Sequence, residues 1–185
     1  LVFAAGFALG TARVLLLADH FGYTGGVVHG VTTYYLGVLP RVCRRGVALR
    51  CVFLRDSHPA AEQLRERGVP VEFLSAGKWD PFVLGRIEQI ARSMDATVLH
   101  LLGMKAAVVG RLVARRMGLP LILHSHYLNI PPLPVRVLYR WLRLDRERDL
   151  AVSAAVADAM SRAYGMRQQD IAVLPNGVDR SDRHR

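Results

Sequence analysis

Two histidines one residue apart, His124 and His126, close the apolar run Leu121 to Leu123, and Tyr127 follows them. An imidazole at the end of a strand can hydrogen-bond a hydroxyl or a phosphate oxygen near neutral pH, or it can serve a loop backbone. A second place for chemistry is the segment after Ala18. Asp19 and His20 end an apolar run there, and Gly22, Gly25, Gly26 and Gly30 precede a helical pattern. Such a loop offers unpaired N–H groups and the positive end of a helix to an anion. Gly25 and Gly26 carry no Cβ, so the backbone can approach a diphosphate closely; the other reading is an ordinary strand-to-helix turn. The spacing is not G-x-G-x-x-G, which leaves nicotinamide binding unsupported. A third place is Gly103 and Lys105 at a predicted helix start, where the ammonium meets either an anionic acceptor or solvent.

Other chemistries lack their residues. No Cys-x-x-Cys or similar metal-ligand spacing occurs, and the seven histidines are scattered. Cys43 and Cys51 are too few for a disulfide framework and read as reduced side chains, Cys51 in a strand and Cys43 near a helix end. No pair of carboxylates resembles a glycosidase site, and Asp19 alone does not make one. Ser153 lacks a G-x-S-x-G setting and reads as a helix cap.

The elements that must position these residues alternate along the chain. Arg13 to Ala18 is a buried strand and Val31 to Arg44 a helix. Val47 to Leu54 is a strand, and Ser57-His58-Pro59 opens a helix with Ser57 as its cap, ending near Gly68. Val69 to Leu74 follows as a strand, and Asp80-Pro81 caps a helix to about Met94. Ala96 to Leu101 is a strand containing His100, and a helix from about Met104 to Met117 closes at Gly118-Leu-Pro120. After the fifth strand, Pro134 to Arg146 reads as a helix, Leu150 to Val152 as a strand, and Ser153 to Gly165 as a capped helix. Ile171 to Leu174 reads as a buried strand broken by Pro175-Asn176-Gly177. This order predicts an α/β, doubly wound parallel sheet with ligands at the carboxyl ends of its strands.

A length of 185 residues suits one domain, and 51% hydrophobic content argues against disorder. The net charge of +10 is compatible with nucleic acid, anionic lipid or phosphorylated ligands, or with a plain preference for arginine. In the predicted helix at 134–146, Arg136, Arg140 and Arg143 recur at i, i+4 and i+7, beside Val137, Leu138, Trp141 and Leu142. This is a basic amphipathic helix: either a solvated face over a core face, the favoured reading, or a dock for an anionic membrane. The first twelve residues, LVFAAGFALGTA, lack a basic flank and fall well short of the ~20 apolar residues of a membrane span. They read as an extension from a misplaced start, outside the fold, rather than a membrane-associating tail.

Three blocks in order carry a resemblance. They are the glycine loop with Gly25-Gly26, the segment Val98-Leu-His100 through Gly118-Leu-Pro-Leu-Ile-Leu-His-Ser-His126, and Asp149 to Asp179 ending in Pro-Asn-Gly-Val-Asp. Together they resemble the N-terminal domain of family 4 glycosyltransferases, retaining enzymes of the two-domain GT-B fold. The resemblance implies a Rossmann-like N-terminal half over 13–179, with 180–185 the start of a linker cut short before the donor-binding domain. It implies transfer of a hexose from a nucleotide-sugar such as a UDP- or GDP-sugar to a sugar or lipid-linked acceptor, with no metal and no nucleic acid. His126 matches the family's cleft histidine and is the implied catalytic residue; Gly25 and Gly26 match the phosphate or acceptor loop. Asp19, His20, Gly103, Lys105, His124 and Tyr127 are expected cleft contacts, and His100 is expected to pack. A cytoplasmic enzyme, peripheral at the inner face of the membrane and inactive as this half alone, is the expectation. The alternative is a non-catalytic binding domain that works with a separate donor chain.

Overall fold

The computed structural model describes residues 12–22, 30–77, 80–128 and 130–176. Seven parallel strands form one sheet: β1 (Arg13–Ala18), β2 (Ala48–Phe53), β3 (Val71–Phe73), β4 (Val98–Leu102), β5 (Leu121–Ser125), β6 (Glu147–Ala151) and β7 (Ile171–Val173). Their order is β3-β2-β1-β4-β5-β6-β7, so the chain reverses its direction of travel between β1 and β4. The α-helices are α1 (Gly30–Arg44), α2 (Glu62–Glu66), α3 (Val83–Ser93), α4 (Met104–Met117), α5 (Leu133–Leu142) and α6 (Ala154–Tyr164).

The central strands are apolar on both faces, as a doubly covered parallel sheet requires. Leu15, Leu17, Val52, Leu99, Leu101 and Leu123 form a core with residues of α3, α4 and α6. Leu16, Ala18, Cys51 and Phe53 form the opposite core with Tyr34, Tyr35 and Leu39 of α1 and Leu64 of α2. Parallel strands joined by helices put all carboxyl ends on one edge, so Asp19, Gly103 and His126 share that edge.

Most boundaries follow local signals. Helix α4 has the predicted limits because Gly118 takes a left-handed φ of 68° and accepts no further turn. Ser153 caps α6, its Oγ accepting from Val156 N at 3.2 Å. Several expectations are corrected. His58, not Ser57, caps the turn at 59–61: its Nδ1 accepts from Ala60 N at 3.2 Å, and α2 itself is short. Asp80 Oδ1 accepts from Phe82 N at 2.9 Å, which makes a turn before α3 instead of a cap on it. Strand β3 has only three residues. Helix α5 stops at Leu142 because Arg143 turns to an extended ψ of 142°. Strand β6 begins at Glu147, three residues earlier than its apolar part suggests. Strand β7 is an edge in which only Ile171 is buried.

Candidate functional site

The switch point between β1 and β4 is where this architecture offers an anion the N-terminus of α4. Here the offer is met from within the chain. Asp19 Oδ2 accepts from Met104 N at 2.9 Å and Lys105 N at 3.1 Å, and Oδ1 accepts from Ala106 N at 2.6 Å. Gly103 makes this possible: its φ is +105°, and a Cβ there would stand 2.5 Å from the Asp19 carboxyl carbon. The Lys105 ammonium turns back to donate to the carbonyls of Ala76 at 3.1 Å and Gly77 at 2.6 Å. Asp19, Gly103 and Lys105 are thus brought together, and their polar groups bond to one another's backbone and to the loop after β3. His20, next in sequence, is half-buried.

One strand over, on the α1 face, three imidazoles cluster. His100 lies on β4 opposite Ile122, and its Nε2 is 3.3 Å from Nδ1 of His124 on β5. The two rings stack with centroids 5.3 Å apart, and His126 lies 4.4 Å from His124. Tyr34 of α1 presents its ring edge-on to both, at 5.4 Å from His124 and 5.0 Å from His126. Burial lowers all three histidines, His100 and His126 to about 4 and His124 to about 2, with the neighbouring imidazoles pressing His100 and His124 the same way. The rings are therefore neutral at pH 7. Nε2 of His124 and Nε2 of His126 have no hydrogen-bond partner. An unpartnered ring nitrogen at the carboxyl edge can donate to, or accept from, a hydroxyl or phosphate oxygen, according to its tautomer.

Tyr34 was not singled out by its residue type, and only its phase on α1, with Val31 and Tyr35 also buried, marks it as inward. Tyr127 follows His126 and is exposed. Gly25 and Gly26 lie outside the described residues. Among the described residues, no group of three or more His, Cys, Asp or Glu is arranged to hold a metal ion, and no helix is long and apolar enough to cross a membrane.

The arginines of α5 lean onto α6 from the surface, Arg136 half-buried and Arg140 exposed. Arg136 Nε donates to Ala163 O at 2.7 Å and Arg140 Nε to Tyr164 O at 2.8 Å, both at the C-terminal end of α6. Cations at a helix C-terminus satisfy its free carbonyls and its dipole. Arg143 reaches Asp149 Oδ2 at 2.5 Å, and Arg111 of α4 forms a two-pronged ion pair with Glu147, one contact at 2.9 Å. Arg111, Glu147 and Asp149 are buried, and the Arg111 guanidinium sits 4.7 Å from the ring centre of Tyr139. Burial raises the Asp149 carboxyl against the opposing pull of Arg143.

The sequence model of glycosyltransferase family 4 matches residues 28–182. The chain belongs to glycosyltransferase family 4. The fold agrees: a glycosyltransferase from Rickettsia africae ESF-5 superposes with a TM-score of 0.76 at 16% identity, over 91% of this chain and 44% of that one. Anabaena Alr3699/HepE in complex with UDP gives 0.70 at 21% identity, over 90% and 44%. The apo lipopolysaccharide outer core galactosyltransferase WaaB gives 0.65 at 13% identity, over 90% and 46%. The Anabaena protein also forms a complex with UDP and glucose. No curated protein matches the sequence. The family 4 chain thus spans less than half the length of these structures, as the Rossmann-like N-terminal half of a GT-B fold.

Proposed function

We propose that this chain is the acceptor-side half of a retaining hexosyltransferase and that His126 faces the transferred sugar. The observation that carries this reading is the unpartnered Nε2 of His126, at the carboxyl edge of β5 in a family 4 domain. In the step, the bond from the anomeric carbon to the donor phosphate oxygen breaks, and the acceptor oxygen bonds that carbon on the same face as its proton passes to the leaving phosphate. The nucleoside diphosphate leaves. A neutral His126 hydrogen-bonds a sugar hydroxyl or a phosphate oxygen and so orients the donor; the His124 and His100 rings beneath it fix its position. The nucleotide is held chiefly by a second domain, in the portion of the relatives that this chain does not span. The acceptor is a sugar or a lipid-linked sugar, and the enzyme works on the cytoplasmic side, peripheral at an anionic membrane.

Two assays test this. Residues 1–185 alone are expected to give no sugar transfer from UDP- or GDP-hexoses; turnover by this half would overturn the division of labour. In a chain extended by the donor domain, His126→Ala is expected to lower transfer about a hundredfold, within the range of positioned hydrogen-bonding groups. An unchanged rate would remove His126 from the site. Tight acceptor binding with no transfer even by the extended chain would favour a non-catalytic binding domain.

A further inference from the structure

Lys105 is only partly spent by the contacts that hold it. An ammonium carries three N–H donors. Two go to the carbonyls of Ala76 and Gly77, at 3.1 and 2.6 Å, and the side chain forms no ion pair among the described residues. The loop that receives it is itself fixed. Ala76 N donates to Leu54 O at 2.7 Å, Leu54 N donates to Ala18 O at 2.9 Å, and Arg86 Nη2 donates to Leu74 O at 2.6 Å. The half-buried lysine is therefore anchored beside the carboxyl ends of β1 and β2, with one N–H and its charge still to offer. The neighbouring carboxylates are engaged elsewhere or face solvent. Asp19 gives both oxygens to N–H groups of α4, Asp80 pairs with Arg86 at 3.2 Å, and Asp56 is exposed. A second cation starts from the same edge: Arg55 N donates to Asp19 O at 3.1 Å, and its side chain is exposed with no ion pair among the described residues.

We propose that Lys105 selects an acceptor bearing an acidic group, a carboxylate or a phosphate, which the third N–H of its ammonium meets. This rests on the acceptor-side reading above and names the acceptor's chemistry. A side chain held in place by two carbonyls has little conformational freedom left to lose on binding. The N-terminus of α4 does not compete for the anion, because Asp19 fills it. In the sheet, β1 and β5 are two strand spacings apart, about 10 Å. The acidic group thus belongs to a part of the acceptor away from the hydroxyl that reacts near His126.

The test is titration of the chain with methyl glucoside, glucuronate and glucose 6-phosphate, followed by NMR at low and at high salt. At least one acidic sugar is expected to bind about tenfold more tightly than the neutral glycoside, the scale of a partly exposed hydrogen bond to a charged group. The margin is expected to shrink at high salt. The glucuronate and phosphate arms distinguish which acid is preferred. Lys105→Gln keeps N–H donors for the Ala76 and Gly77 carbonyls but carries no charge, and it is expected to abolish the margin. A lysine that served only to tie down the loop would leave that margin in place. The proposal is overturned if no acidic sugar binds more tightly than the neutral glycoside, or if the glutamine variant keeps the preference. It is also overturned if inorganic phosphate binds as tightly as glucose 6-phosphate, which marks a site for an adventitious ion only. Neutral glycoside bound without any acidic preference sinks this proposal and leaves the acceptor-side reading standing, which hexose transfer by the extended chain tests separately.

Discussion

The sheet buries polar side chains on both faces, and the two faces treat them differently. On the α4–α5 face, Glu147 and Asp149 of β6 each face a guanidinium, of Arg111 and Arg143, although Nη1 of Arg111 and Oδ1 of Asp149 remain without partners. On the α1 face, His100, His124 and His126 have one hydrogen-bonded contact among them, and two ring nitrogens remain without partners. The first arrangement spends its polarity on holding α4, α5 and β6 together. The second keeps hydrogen-bonding capacity unspent at the carboxyl edge, where a ligand can use it. Both faces leave buried polar atoms without partners, so what marks the histidines as the site is that theirs stand at the carboxyl edge of the sheet.

This contrast can be broken first at its most tightly paired member. Glu147→Ala leaves the Arg111 guanidinium buried without its carboxylate and is expected to cost about 3–5 kcal/mol in urea unfolding. Replacing Arg111 and Glu147 together by leucine is expected to recover most of that loss, because two apolar groups remove both desolvation penalties. If the double variant is as unstable as the single one, the cluster does more than neutralise itself.

Asp19 tests the boundary between the two regions, since it is well bonded yet stands at the edge of the site. Asp19→Ala leaves three N–H donors of α4 without their carboxylate acceptor and is expected to cost about 2 kcal/mol, on the scale of hydrogen bonds to charged groups. It also vacates the helix N-terminus, so weak sulfate or phosphate binding is expected to appear in titration calorimetry.

The histidines predict an acid sensitivity with a definite sign. Their folded-state values, about 4 for His100 and His126 and about 2 for His124, lie below the ordinary 6.5. As pH falls through 6.5 the unfolded chain takes up protons that the folded chain refuses, so stability is full above that value and declines towards pH 4. The decline between pH 6.5 and 4 is expected to amount to several kcal/mol, about 1.4 kcal/mol per pH unit for each histidine that stays neutral, read from urea midpoints at successive pH values. His124→Leu is expected to flatten it. At pH 7 the same substitution has the smallest effect, about 1 kcal/mol, because it removes the unpartnered Nε2 together with a single hydrogen bond, from Nδ1 to His100.

Much of this was legible beforehand. Met104 to Met117 and Arg13 to Ala18 were readable to the residue, since a left-handed glycine and an unbroken apolar run act within a few positions. Glu147 to Asp149 concealed the start of β6, because charged residues in a strand look exposed until their partners on α4 and after α5 are known. The repeat of Arg136, Arg140 and Arg143 was visible, but its direction was not.

The sequence by itself determined the alternation of strands and helices, the family, and which histidines stand at strand ends. Those properties depend on spacing along the chain. Tertiary structure alone decided that Asp19 caps a helix 85 residues away, that the α5 arginines serve α6, and that three imidazoles cluster without sufficient partners. The physical reason is common to all three: the fate of a polar group is set by the groups brought against it, and those come from elements distant in sequence.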